Sequence, residues 1–479
     1  MNELMIPLDT RDKKSLYEQI YSYIKKQIVD GNLSCGEKLP STRLLAKYLH
    51  ISRSTVETAY SQLLAEGYLE SSPGRGYFVS DISMVYSTQA DGRETKDEYH
   101  SLHEAANQIC DYLVDFSLNQ TDMSSFPYKI WRKITKESLM LEEELMETQQ
   151  EPTGELELRR EIKNYLYFSR GVHCTADQII VGAGNEFLLI LLSQILDERQ
   201  VIAMENPTYL NAYYTFTNMN WKIITVDRDS SGISLEDIAR TRPDVVYTMP
   251  SHHYPLGTIV PLKRRLELLN WASEAKDRYI IEDDHDSEYR YKGKPIPSLQ
   301  GSDRNGTVIY LGTFSKSISP TQRMSYMVLP PELLQKYHSK CGFYSSTVPR
   351  IQQMILSAFL KDGYFERHLN KMRGIYKAKH DYFLLLLKKE KWVEDVYGDQ
   401  AGMLFRVRIR CERPVKEIQK EVEAAGIKIY TLSEFMIPDL PCSNKVNHMR
   451  KHQIILGYGG LTEEQIRIGI HAIRNAVVK

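Results

Sequence analysis

From about Val114 onward, short β-rich runs alternate with helical patterns, and that alternation restricts the chain to few folds. "QIIVGAG" leads into "NEFLLILLSQIL" and "RQVIAMENP" into "TYLNAYYTF"; "DVVYTMP", "RYIIEDDH" and "TVIYLGTFS" follow. Strands separated by helices need crossover connections, so they assemble as a mostly parallel sheet covered on both faces. The expected fold class is α/β. At 479 residues the chain exceeds one ordinary core, so a second domain is expected. Residues 1–80 alternate short helical patterns with turn signals. Residues 81–113 are polar and weakly periodic and read as a linker with a short helix near its end, and 114–479 carry the alternation.

Charge narrows the function classes. Lys plus Arg is 61 against 62 for Asp plus Glu, so any nucleic-acid binding has to come from a local basic face. Six cysteines form no C-x-x-C pair, which indicates neither a disulfide framework nor a zinc site, and no metal is expected. The start, "MNELMIPLDTRDKK", lacks an apolar signal core, and the run from Phe187 is too short to span a membrane. A soluble, cytoplasmic protein is expected.

The first block has the pattern of a DNA reader. "SLYEQIYSYIKKQIVDG" spaces Leu16, Ile20, Tyr23, Ile24 and Ile28 as a helix that stops at Gly31. Ser41 is placed to cap a second helix carrying Leu44, Leu45, Tyr48 and Leu49, and Ser52 a third with Val56, Ala59, Tyr60, Leu63 and Leu64 inward. Two helices joined by the tight turn "HIS" make a helix-turn-helix, whose second helix enters the major groove by its N-terminal residues. Those residues are Arg53, Ser54, Thr55 and Thr58. "YLESSPGRGYFVS" then reads as a hairpin wing with Arg75 at its tip, within reach of phosphate or a minor groove.

In the second block one amine stands out. "GTFSKSISPTQRMSY" sets Lys316 in a Ser/Thr-rich turn directly after an apolar strand, with Arg323 seven positions on. A lysine that forms a Schiff base needs a packed site and a fixed aldehyde partner. Pyridoxal 5'-phosphate needs a carboxylate at its ring nitrogen, donors for its phosphate and an aromatic over its ring. Strand ends supply each. "YIIEDDHDSEYRY" runs into Asp283, a carboxylate suited to a pyridinium. "VGAGNEFLL" opens a helix whose N–H groups around Ala183, Gly184 and Asn185 suit a phosphate dianion. Ser315, Arg323 and Thr313 can add bonds to the same anion, and "ENPTYLNAYY" supplies Tyr209 to stack on the ring.

"LYEQIYSYIKKQI", "GEKLPSTRLLAKYL", "SRSTVETAYSQLLAEGYL" and "GRGYFV" resemble the GntR family of bacterial winged-helix regulators over about residues 13–80. "EPTGELELRREIKNYLYFSRGV", "MPSHHYPLGTIVPLKRRLELLNWA", "IIEDDHDSEYRY" and "GTFSKSISPTQRMSYMVLP" resemble fold-type I aminotransferases over nearly everything from Val114. The two together resemble the MocR branch of GntR regulators, which includes GABA-responsive and pyridoxal-phosphate-responsive members. The resemblance implies Lys316 as the Schiff-base lysine, Asp283 at the pyridine nitrogen, Tyr209 stacking, and Ser315 with Arg323 on the phosphate. It implies DNA contacts by Arg43, Arg53, Ser54, Thr55 and Arg75, with Lys38 and Lys47 adding to the positive face. A homodimer is implied as well.

Four positions depart from the family pattern. His285 stands where a tyrosine commonly donates to the cofactor's phenolic oxygen, and His253 replaces an amide in "SHHYP". Asn211 stands where GABA-responsive members carry an arginine, and Arg450 is the remaining candidate for a second carboxylate-binding arginine. The expected function is a regulator that binds DNA through residues 1–80 and senses an amino compound, or pyridoxal phosphate itself, through Lys316. The alternatives are a working aminotransferase with an appended winged helix, and a DNA-binding module on an aminotransferase-like dimerisation scaffold.

Overall fold

A computed structural model describes residues 6–9, 12, 14–81, 112–140, 149–196, 200–229, 231–291, 293, 296–438 and 451–478. The helix expected near the end of the linker, and Arg450, lie outside these residues. The chain divides into two compact units, Met1–Cys110 and Asp111–Lys479.

The first unit contains helices α1 (Leu16–Val29), α2 (Thr42–Leu49) and α3 (Arg53–Ala65) and the hairpin β1 (Leu69–Ser72) with β2 (Gly76–Val79). Both expected caps form: Ser41 Oγ accepts from Leu44 N and Ser52 Oγ from Thr55 N, each at 3.2 Å. Ile20, Ile24 and Ile28 of α1 pack with Val56, Ala59, Tyr60 and Leu63 of α3 in one small core. The structure selects one stripe of α2 as the inward one. Thr42, Leu45 and Ala46 are buried and Leu49 half-buried, whereas Leu44 and Tyr48 are exposed. Adjacent apolar pairs at 44/45 and 48/49 offer two stripes of equal spacing, and only packing against α3 selects between them.

The second unit is built on a seven-stranded sheet. Its strands are β3 (Ile179–Gly182), β4 (Val201–Glu205), β5 (Lys222–Val226), β6 (Val245–Thr248), β7 (Tyr279–Asp284), β8 (Val308–Thr313) and β9 (Ser325–Val328). They lie in the order β3-β9-β8-β7-β6-β4-β5. All neighbours pair in parallel except β9, which is antiparallel to both β8 and β3. β6 and β7 are buried along their whole length, as a sheet covered on both faces requires. A smaller antiparallel sheet contains β10 (Val393–Tyr397), β11 (Leu404–Ile409), β12 (Tyr430–Thr431) and β13 (Gln453–Gly457), in the order β10-β11-β13-β12. Among the described residues no helix is long and apolar enough to cross a membrane.

This topology assembles the site. The parallel strands β3, β6, β7 and β8 all end at one edge of the sheet, and the reversed β9 begins there. Residues just after Gly182, Thr248, Asp284 and Thr313, and just before Ser325, are therefore neighbours although far apart along the chain.

Candidate functional site

A cavity of about 230 Å³ opens at that edge, lined by Asn119, Asn185, Glu186, Tyr209, Asn211, Tyr254, Asp283, His285, Thr313, Ser315, Lys316 and Arg323, among others. Lys316 sits in the turn after β8, whose backbone is held by Tyr289 Oη donating to Lys316 O at 3.1 Å. Its ammonium lies 5.5 Å from the centre of the Tyr254 ring. Burial pushes the amine below its ordinary value, against the pull of Asp286, Asp283 and Glu288. A desolvated lysine with a depressed pKa is a better nucleophile at neutral pH.

The three acids ending β7 have separate tasks, because successive residues of a strand point to opposite faces. Glu282 accepts the backbone N–H groups of Leu299 and Gln300 at 2.8 and 2.9 Å. Asp284 forms a buried ion pair with Arg170 at 2.7 Å and accepts from Tyr310 Oη at 2.6 Å. Asp283, between them, faces the cavity. It accepts from Tyr247 Oη at 2.6 Å and from Asn185 Nδ2 at 3.3 Å. Burial raises its carboxyl to about 6, opposed by the Tyr247 hydrogen bond. An acid desolvated in this way gains most from a fixed cationic partner.

The phosphate cradle expected around Ala183, Gly184 and Asn185 is more selective than expected. Ala183 N donates to Thr347 Oγ1 at 3.1 Å and Gly184 N to Gly182 O at 2.9 Å. Further helix-start N–H groups lie one step on, at the first turn of α4 (Asn185–Ile195). Gly184 has φ +100°, and a Cβ there would stand 2.6 Å from Arg323 Nη2. The absence of a side chain lets the guanidinium lie across the helix start. Ser315 N donates to Thr313 Oγ1 at 3.2 Å, and Ser315 Oγ donates to Gln322 O at 3.3 Å.

Tyr209 is the N-cap residue of α5 (Leu210–Asn218), and its ring meets Tyr254 edge-on at 5.8 Å. His285 also lines the cavity. Burial lowers its imidazole to about 3, so it is neutral near pH 7. Its Nε2 lies 3.4 Å from Asp286 Oδ1, and Asp286 also takes His252 Nδ1 at 2.8 Å. His253 is buried away from the cavity, 3.4 Å from Glu205. Lys316, Asp283, His285, Tyr209, Asn185, Ser315 and Arg323 are thus brought to one cavity, and Ala183 and Gly184 directly precede its helix start.

Sequence reasoning missed Tyr247, Asn119 and Glu186. Tyr247 reads as one more core residue of "DVVYTMP", and Asn119 lies in a loop. Glu186 reads as an ordinary acid at a helix start, where the dipole favours it.

On the first unit, Arg43, Arg53, Ser54 and Arg75 are exposed and Thr55 is half-buried. Arg53 Nε bonds Glu57 at 2.7 Å, which lays its side chain along the start of α3. Ser52 Oγ bonds the hydroxyls of Ser54 and Thr55 at 2.9 and 2.7 Å, making a small polar cluster at the end that a recognition helix presents to bases. Arg75 N donates to Ser72 O at 3.0 Å, closing the tip of the wing.

Residues 16–79 match the family described as "Bacterial regulatory proteins, gntR family", and residues 113–444 match "Aminotransferase class I and II". The chain is 36% identical over 470 residues to the HTH-type transcriptional regulator YhdI of Bacillus subtilis, covering 98% of this chain and 97% of that one. It is 32% identical over 485 residues to the "Probable rhizopine catabolism regulatory protein MocR" of Rhizobium meliloti, covering 98% and 96%. The chain belongs to the MocR branch of the GntR regulators. This MocR-type protein is a DNA-binding transcriptional regulator whose second unit has the fold-type I aminotransferase fold. Among solved structures, the multiple substrate aminotransferase of Thermococcus profundus superposes with a TM-score of 0.66 at 26% identity, covering 80% of this chain and 94% of that one. The aminotransferase fold implies pyridoxal 5'-phosphate. The donor set fits that group: a desolvated amine, a buried acid in need of a cation, and an arginine at a helix start.

Proposed function

We propose that this regulator reads operator DNA as a homodimer through its first unit and takes pyridoxal 5'-phosphate into the Lys316 cavity. There the cofactor, or an amino compound joined to it, sets the regulatory state. The observation that carries this reading is the meeting of Lys316, Asp283, Tyr209 and Arg323 in one cavity. When bound, the cofactor supplies an aldehyde carbon that exchanges amines and a ring nitrogen that draws electrons. Lys316 Nζ would be the amine that holds that aldehyde. Asp283 keeps a proton at the ring nitrogen, Tyr209 covers the ring face, and Arg323, Ser315 and the first turn of α4 hold the phosphate. An amino effector taken into this cavity would compete with the Lys316 amine, and the regulatory equilibrium would shift by as much as the effector's affinities for the two states differ.

The test joins two readouts on one preparation. A gel shift on the DNA upstream of the protein's own gene is expected to change on adding the cofactor or an amine, in step with the visible absorption of the protein. Arg53→Ala is expected to weaken DNA binding about tenfold, the cost of one lost base or phosphate contact, while leaving the absorption unchanged. DNA affinity indifferent to every change in absorption would defeat the reading.

A second reading, turnover as an aminotransferase, is favoured by the depressed pKa of Lys316, which suits a proton shuttle once the amine is free. Rapid keto-acid formation from an amino donor distinguishes it.

A further inference from the structure

The donors best placed for a phosphate are already engaged by an anion of the chain itself. Glu186 is the second residue of α4. Its Oε2 accepts from Arg323 Nη2 at 2.7 Å, and its Oε1 accepts from Tyr209 Oη at 2.8 Å and Asn211 Nδ2 at 3.1 Å. Burial works against its charge, yet the bonds from Asn211, its own backbone N–H and Tyr209, with the charge of Arg323, hold its carboxyl below the ordinary range. The carboxylate therefore draws on an N–H at the helix start as well as on the guanidinium. Both are donors that a phosphate at this place needs. The helix dipole favours an acid in the first turn, yet a glutamate here puts a negative charge beside the seat of a dianion.

We propose that Glu186 is an internal stand-in for phosphate: it occupies Arg323 and the start of α4 in the free regulator and is displaced when a ligand's phosphate arrives. This rests on reading the cavity as a pyridoxal phosphate site. It makes uptake an exchange of one anion for another, which holds the cofactor's affinity down and suits a protein that samples the cofactor rather than keeping it. It also couples phosphate arrival to Tyr209 and Asn211, the N-cap and an early residue of α5, because both lose their carboxylate partner when Glu186 leaves.

The test compares the full-length protein with Glu186→Gln, which keeps size and an acceptor for Tyr209 while removing the charge. Each is titrated by absorbance with pyridoxal 5'-phosphate and with pyridoxal, which lacks the phosphate, and by calorimetry with inorganic phosphate. Pyridoxal 5'-phosphate and inorganic phosphate are expected to bind the variant about threefold tighter, the ratio carried by one partly exposed charge interaction, with pyridoxal unchanged. Equal or weaker phosphate binding by the variant, or the same gain for pyridoxal, would overturn the stand-in role. A wild-type protein that takes up inorganic phosphate in the expected order but never pyridoxal 5'-phosphate would overturn the cofactor reading while upholding Glu186 as the competing anion.

Discussion

Lys316→Ala is expected to abolish covalent attachment of the cofactor. After borohydride treatment the label falls from about one per chain to none, and the visible band of the attached form is lost. Among the described residues lining the cavity, Lys316 alone carries a primary amine, and its depressed pKa favours the neutral nucleophile. Non-covalent uptake persists at reduced affinity, because Asp283, Tyr209 and Arg323 are untouched. Operator binding remains measurable, since the first unit has its own core around Ile24, Val56 and Tyr60. Peptide mapping after reduction checks the prediction directly: label retained on another lysine in the variant would remove Lys316 from its role.

Asp283→Asn is expected to change how stability depends on pH. The carboxyl of Asp283 ordinarily titrates near 3.8, and burial raises it to about 6, so the cofactor-free fold prefers the protonated acid. The stability this group contributes is fully present below about pH 4 and is lost as pH rises through 6. Asparagine does not titrate. Relative to the variant, wild type therefore loses about 3 kcal/mol between pH 4 and pH 7, the linkage equivalent of that rise. Denaturant unfolding of both proteins across this range measures the difference, and parallel pH curves would refute it. Adding pyridoxal 5'-phosphate reverses the order above pH 6, because a protonated ring nitrogen restores the carboxylate's partner and finds none in asparagine.

How far each part was legible in the sequence follows from the range of the interactions involved. Lys316 and Asp283 stand out because each follows an apolar run toward the end of a strand, and a polar group there needs a stated purpose. The caps at Ser41 and Ser52 were legible for the same local reason, since their partners lie three residues away. Ser325–Val328 was different. Its apolar run shows a strand but not its direction, and its reversal between β8 and β3 carries Arg323 to the active edge. Glu186 was hidden in a similar way. An acid at a helix start looks locally satisfied, and nothing nearby in sequence announces an arginine 137 positions away.

The order of runs and turns thus determined an α/β unit behind a winged helix and named the amine, the acid and the aromatic of the site. Periodicity and strand-end chemistry are short-range, so they survive in a linear reading. Only the folded chain decided which stripe of α2 faces inward, which of three adjacent acids meets the cavity, and which anion holds Arg323. Those choices depend on side chains brought together by sheet order, and their energies do not exist until the sheet has closed.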